Sequence, residues 1–186
     1  MKVNRQTVIE AARDLVDNEG IDKLSLQALA ERLDVKPPSL YNHISSLAEL
    51  RELVALDILE TFETVLRDVA VGKSREEALL AMAQAYRGFA KAHPGLYKAM
   101  LSLSYSENAA HEEGRSLLNT LYQVLEPYGL GEEGTMHFAR AFRSVLHGFV
   151  SLEELGFKAS PDAGESFERI VGALVASLSS YDWGRP

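Results

Sequence analysis

The chain has 186 residues, of which 46% are hydrophobic and 25% charged, with a formal net charge of −8 and no cysteine. This is the composition of a folded globular protein, and it excludes disulfides, thiolate metal sites and cysteine nucleophiles. The acidic balance weighs against a polyanionic partner. No apolar run approaches the ~18 residues that would span a bilayer, and Met1–Gln6 lead into an alternating polar pattern, so a cytoplasmic location is expected.

Apolar residues recur at helical spacing along almost the whole chain. The first pattern, Val8-Ile9, Ala12 and Leu15-Val16, takes Asn4 as its N-cap and stops at Gly20, a natural C′ residue. A second, Leu26, Leu29-Ala30 and Leu33, is capped by Ser25. After an interruption at Val35–Ser46, one face of Leu47, Leu50, Val54, Ile58, Phe62, Val65 and Val69 continues to Gly72. Ser46 with Glu49 spells a capping box at its start. Ser74 with Glu77 opens the next helix by the same device, carrying Leu79, Met82-Ala83, Tyr86 and Phe89-Ala90 to near His93.

Pro94 stands where another helix begins, with Tyr97 and Met100-Leu101 behind it. Leu117-Leu118, Leu121-Tyr122 and Leu125 form one more, ending at Pro127-Tyr128-Gly129. The last two carry Phe138, Phe142, Val145, Phe149 and Leu152 and, after a loop through Gly156 and Pro161, Phe167, Ile170-Val171, Leu174-Val175 and Leu178. No hairpin-forming strand pattern and no internal repeat occurs. An all-α fold is expected. In the penultimate helix Ala139, Leu146 and Val150 make a second apolar stripe beside the first, which calls for cover on two faces; a partner chain is the economical source, an ordinary central helix of a monomeric bundle the alternative.

The segment from Leu26 has the requirements of a helix-turn-helix: two short helices crossing over a tight turn, apolar where they touch and small where the backbones approach. Leu29, Leu33, Val35 and Leu40 supply the contacts and Ala30 the small residue. Asp34 stands in the turn where a left-handed conformation is usual, and aspartate tolerates it better than most side chains. Pro37 and Pro38 suit the first positions of a helix, whose amides have no intrahelical acceptor. A helix of about seven residues is expected from there, roughly 10 Å long, short enough to enter a major groove end-on.

Its exposed positions would be Lys36, Pro37, Pro38, Ser39, Tyr41, Asn42 and His43, with Leu40 and Ile44 turned inward. The proline rings can pack on thymine methyls, Ser39 and Asn42 can bond base edges or phosphates, and Tyr41 and His43 can reach phosphate oxygens. Gln27 of the preceding helix could read an adenine or hold a phosphate. The competing reading is a solvated helix corner with a rigid proline start.

Residues from about Thr7 to Leu50 resemble the DNA-binding domain of TetR-family transcriptional regulators, on Leu24-Ser25-Leu26-Gln27-Ala28-Leu29-Ala30-Glu31-Arg32-Leu33 followed by Val35-Lys36-Pro37-Pro38-Ser39-Leu40-Tyr41-Asn42-His43-Ile44. Ser144–Glu153 is similar to the His-Gly motif of the subgroup whose C-terminal domain is called WHG. The resemblance implies a homodimeric repressor: a three-helix helix-turn-helix domain at 1–46 and a helical ligand-binding and dimerisation domain at 47–186. The sequence departs from the family pattern in two places. Leu47 replaces the lysine that usually opens the fourth helix, next to Ser45 and Ser46 in place of basic residues, and Arg143 replaces the tryptophan of WHG.

Residues 1–50 hold six cations against eight acids, so binding would rely on two half-sites and on backbone amides. Five histidines, His43, His93, His111, His137 and His147, form no metal-ligand spacing, and no catalytic motif occurs; neither metal nor cofactor is expected. Glycine within a helix costs about 1 kcal/mol, so His147-Gly148 suggests a close helix approach within the chain or across a dimer. Phe149, Leu152, Ile170, Leu174 and Leu178 join them as candidate interface residues. Candidate pocket residues for a small apolar effector are Phe62, Tyr86, Met100, Tyr105, Tyr122, Phe142 and Leu146, although such side chains also serve as plain core. The leading expectation is a dimeric regulator that binds a palindromic operator in double-stranded DNA and is released by an effector. The alternative is a helical dimeric binding or scaffold protein of the same fold without DNA binding, with a helical enzyme a distant third.

Overall fold

A computed structural model describes residues 3–102, 119–156 and 163–184. Within them the regular structure is helical throughout: α1 (Arg5–Glu19), α2 (Leu26–Leu33), α3 (Pro37–Leu40), α4 (Leu47–Ala70), α5 (Arg75–Ala92), α6 (Pro94–Ser102), α7 (119–125), α8 (Gly131–Glu154) and α9 (Ala163–Ala176). Short 3₁₀ turns at Ile21–Lys23, Glu126–Tyr128 and Ser177–Ser179 complete it. The chain is all-α, as its periodicity predicts. Leu117-Leu118, Tyr105, His111 and Pro161 lie outside the described residues.

The helix ends follow local chemistry. Asn4 Oδ1 accepts from the Thr7 amide at 2.9 Å while the Asn4 amide donates to Thr7 Oγ1 at 2.8 Å, so two orphan donors of α1 are satisfied reciprocally. α1 stops at Gly20, whose φ of 89° would strain a side chain and whose amide donates to Val16 at 2.9 Å. Ser25 Oγ caps α2 through the Ala28 amide at 3.2 Å. Ser46 Oγ accepts from the Glu49 amide at 3.0 Å and opens α4.

The described residues divide into two compact units, 3–62 with 89–102, and 63–88 with 119–156 and 163–184. In the first, α1 packs on α2 and α6, and α2 on α3. Val8, Leu15, Leu24, Leu29, Leu40, Ile44, Leu50, Val54, Ile58, Leu96 and Tyr97 are buried there. Each large apolar side chain so buried contributes roughly 1.5–3 kcal/mol relative to exposure.

In the second unit α8 packs on α9. α8 buries Gly134, Phe138, Ala139, Phe142, Leu146 and Val150, and α9 buries Phe167, Val171 and Val175. Ala139, Leu146 and Val150, the second stripe of the pattern, therefore share one inward face with Phe138 and Phe142. Val145 and Phe149 are half-buried and Leu152 is exposed, so among the described residues this other stripe is the less buried one. The pattern contained two stripes and no indication of which would meet α9. Arg87 of α5 forms a two-bonded pair with Glu153 of α8, Nε to Oε2 at 2.8 Å and Nη2 to Oε1 at 2.6 Å, and its guanidinium lies over the rings of Phe149 and Phe167. At the end of the unit, Trp183 sets its ring edge-on to Phe138 with centroids 5.1 Å apart. A Cβ on Gly134 would stand 3.2 Å from the Trp183 and Gly184 backbone.

Candidate nucleic-acid interface

The turn between α2 and α3 is set by Asp34, which adopts φ 54° and ψ 47° in the left-handed region. Its amide donates to Glu31 at 3.2 Å and that of Val35 to Ala30 at 3.0 Å, the pairing that closes a helix through a left-handed residue. Lys36 then lies in extended backbone as N-cap, and Pro37 and Pro38 take the first two positions of α3. Their missing amides would have had no intrahelical acceptor.

α3 is shorter than the seven residues expected. One α-turn, Pro37–Leu40, is followed by tighter turns in which the amides of Tyr41, Asn42 and His43 donate three residues back, to Pro38, Ser39 and Leu40 at 3.3, 3.3 and 2.9 Å. Short helical segments commonly tighten to three-residue bonding in this way. The facing is nevertheless as the spacing predicts. Leu40 and Ile44 are buried against the first unit, while Lys36, Pro37, Pro38, Ser39, Tyr41 and Asn42 are exposed and His43 is half-buried. Tyr41 is 57% exposed, large and aromatic on this outward face. Gln27 is exposed on α2, with its amide already donating to Glu31 at 3.0 Å.

The charges around this surface are largely committed to one another. Arg13 pairs with Asp57 at 3.3 Å, Arg32 with Asp14 at 3.7 Å, and Arg5 with Glu49 at 2.7 Å. Among the described residues Lys36 forms no ion pair, which leaves it as the cation on the α3 surface itself. Glu49 does more than the capping box predicts. Instead of reaching back to Ser46, its Oε2 accepts from the Ser45 amide at 2.5 Å and the Ser45 hydroxyl at 2.7 Å. The Ser45 amide, then the Ser45 hydroxyl and the Arg5 charge, hold this carboxyl below the usual carboxylate range. The motif spacing revealed the Ser46 bond, but no local signal reveals Arg5, which comes from the start of α1.

The described pocket candidates fall in both units. Phe62 and Met100 are buried in the first unit, with Phe62 set 4.9 Å from Phe89. Tyr86, Phe142 and Leu146 are buried in the second. Tyr122 is half-buried and lines a groove of ≈ 500 Å³ with Leu130, Thr135, Met136 and the acids Glu126 and Glu132. Of the interface candidates, Leu152 and Ile170 are exposed, and His147, Gly148, Phe149 and Leu174 are half-buried. A Cβ on Gly148 would meet no described atom within 4 Å, so the chain's own helices do not require this glycine. Leu178, in the 3₁₀ turn Ser177–Ser179, is 8% exposed and the most buried of these candidates.

Residues 8–54 match the family profile described as bacterial regulatory proteins, tetR family, and residues 79–174 match that of the Tetracyclin repressor-like C-terminal domain. An uncharacterised HTH-type transcriptional regulator of Mycobacterium tuberculosis is 37% identical over 179 residues, covering 95% of this chain and 82% of its own. Among solved structures, a TetR variant of Acinetobacter baumannii in complex with minocycline superimposes with a TM-score of 0.68 at 23% identity, covering 96% of this chain and 97% of that one. BioQ with its double-stranded DNA operator gives a TM-score of 0.67 at 22% identity, covering 97% and 100%.

Proposed function

Since the chain belongs to the TetR family of transcriptional regulators, which are not enzymes, we propose that it is a repressor that binds a palindromic operator as a homodimer and leaves it when a small apolar effector binds. Residues 1–46 would read the DNA and residues 47–186 would hold the effector and the dimer contact, in the cytoplasm. The observation that carries this reading is the two-faced segment Lys36–Ile44: Leu40 and Ile44 anchor it, while Lys36, Pro37, Pro38, Ser39, Tyr41 and Asn42 stand outward.

Pro37 and Pro38 would meet thymine methyls, Ser39 and Asn42 base edges, and Lys36, Tyr41 and His43 phosphates. Gln27 would exchange its bond to Glu31 for one to the duplex. Two copies of α3 would enter successive major grooves about 34 Å apart. The operator complex of BioQ supports the DNA partner, and the minocycline complex supports a small-molecule effector. For the dimer, the support is the exposed apolar Leu152 of α8 and Ile170 of α9, with half-buried Leu174 and Gly148.

A mobility-shift experiment with the DNA flanking the protein's own gene tests the reading, with Tyr41→Ala as the control. A sequence-specific shift by the wild type, lost in a folded Tyr41→Ala protein, is the expected result. Absence of binding to any duplex at low salt would instead make the chain a dimeric scaffold of the same fold.

A further inference from the structure

The first unit contains a second built contact, away from α3. At the end of α1, Oδ2 of Asp17 stands 2.7 Å from Nδ1 of His93, the residue whose carbonyl accepts from the Tyr97 amide at 2.9 Å to open α6. The other oxygen of Asp17 is buried with no partner among the described residues, so His93 supplies the carboxylate's cross-helix hydrogen bond. Two residues further, Gly95 is pressed onto α1: a Cβ there would lie 2.4 Å from the Val16 carbonyl oxygen and 2.5 Å from that of Asp17. These are backbone atoms of a helix and cannot swing aside, so only glycine allows the approach.

The charges match as well. The negative C-terminal end of α1, with the Asp17 carboxylate, meets the first turn of α6, where helix amides leave partial positive charge. α6 is fixed from behind by Leu96 and Tyr97, both buried. The His93 ring lies 5.3 Å from Phe89, which in turn contacts Phe62 of α4.

We propose that Asp17, His93 and Gly95 are positioning residues for DNA recognition: they clamp the end of α1 to the start of α6 and so fix the pose of the helix-turn-helix packed on α1. The proposal rests on the reading of α3 as the DNA-reading element. α2 packs on α1 and α3 on α2, so the orientation of α3 inherits whatever freedom α1 has. A rocking α1 spreads α3 over more orientations, and apparent affinity falls with the fraction that can dock. Two of the three clamp residues lie far along the chain from the segment that touches DNA.

The test uses the full chain and an operator duplex that the wild type selects from a random-sequence pool. His93→Ala removes the bond to Asp17, whereas the amide nitrogen of His93→Asn falls near the place of Nδ1 and restores it. Gly95→Ala opens the contact by steric force. His93→Ala and Gly95→Ala are expected to weaken operator binding about fivefold or more, with the thermal midpoint and dimer mass unchanged, and His93→Asn to return it to within about twofold. In the free protein, amides of residues 24–34 should exchange faster in His93→Ala and recover in His93→Asn. Should Gly95→Ala lower the midpoint, the His93 pair decides alone.

Wild-type affinity in His93→Ala, an asparagine variant as weak as the alanine one, or faster exchange confined to residues 93–102 would each overturn the clamp. A wild type that selects no duplex sinks the DNA reading instead. The exchange of residues 24–34 then still shows whether the clamp holds the helix-turn-helix.

Discussion

Arg5 and Glu49, forty-four residues apart in sequence, are joined at 2.7 Å, and the same carboxylate accepts the amide and hydroxyl of Ser45. The start of α1 is thereby tied to the start of α4 across the entrance to the helix-turn-helix. A carboxyl whose folded pKa is depressed adds stability above its unfolded pKa, and that contribution is lost as pH falls through the folded value. Glu49 is such a group. Its titration, followed by the chemical shift of the Ser45 amide, should have a midpoint below 4.5, its ordinary value. In Glu49→Gln the acid-dependent movement of the Ser45 signal should vanish. A midpoint at or above 4.5 would mean that the Ser45 bonds do not persist in solution.

Pairing of Arg5, Arg13 and Arg32 with acids of the same unit bears on the salt dependence of DNA binding. Counterions are released only by cations that neutralise phosphate, and three of the six in residues 1–50 are paired with carboxylates instead. Log K against log salt for the dimer should be shallow. A slope steeper than about −8, equivalent to some nine neutralised phosphates, would show that these pairs open on the duplex.

Arg87 and Glu153 make the opposite kind of pair, with side chains only 12% and 16% exposed. The carboxylate, with its desolvation offset by two hydrogen bonds, holds the Arg87 guanidinium above its ordinary pKa. Arg87→Met strips both bonds from a poorly hydrated carboxylate and should destabilise by about 2–4 kcal/mol. Adding Glu153→Leu should recover much of the loss, because both desolvation costs then disappear together. Denaturant melts of the four proteins decide it, and a double variant weaker than the sum of the singles would contradict the account.

Ile170 and Leu178 give a comparison within one helix region. Ile170→Glu places a charge on a 46% exposed apolar position and should dissociate the dimer without unfolding the chain. Leu178→Glu, buried in its own chain, should unfold it instead. Sedimentation and circular dichroism separate the two, and a dimeric Ile170→Glu protein would move the interface elsewhere.

Much of the fold was legible because helix ends are decided by a few neighbouring atoms. Asn4, Ser25 and Ser46 as caps, Gly20 and Gly129 as stops, and the left-handed Asp34 all follow from side chains within four residues. The inward turn of Leu40 and Ile44 followed from period alone. What period could not supply was the partner of each face. Two stripes on α8 are equivalent until α9 covers one, and Arg87 with Glu153 or Asp17 with His93 meet only after sixty-six or seventy-six residues of chain have folded between them. α3 is the local exception: its prolines mark the start of the turn, but no local residue marks where α-type bonding gives way to tighter turns.

Trp183 is the chain's single tryptophan, and it is lodged edge-on against Phe138 with Gly134 at its back. Its ring also lies 5.1 Å from that of Tyr181. The protein therefore contains its own optical probe: emission excited at the indole edge comes from one place, where the chain's end returns to the opening of α8. Any ligand or partner that shifts that opening changes a signal requiring no label.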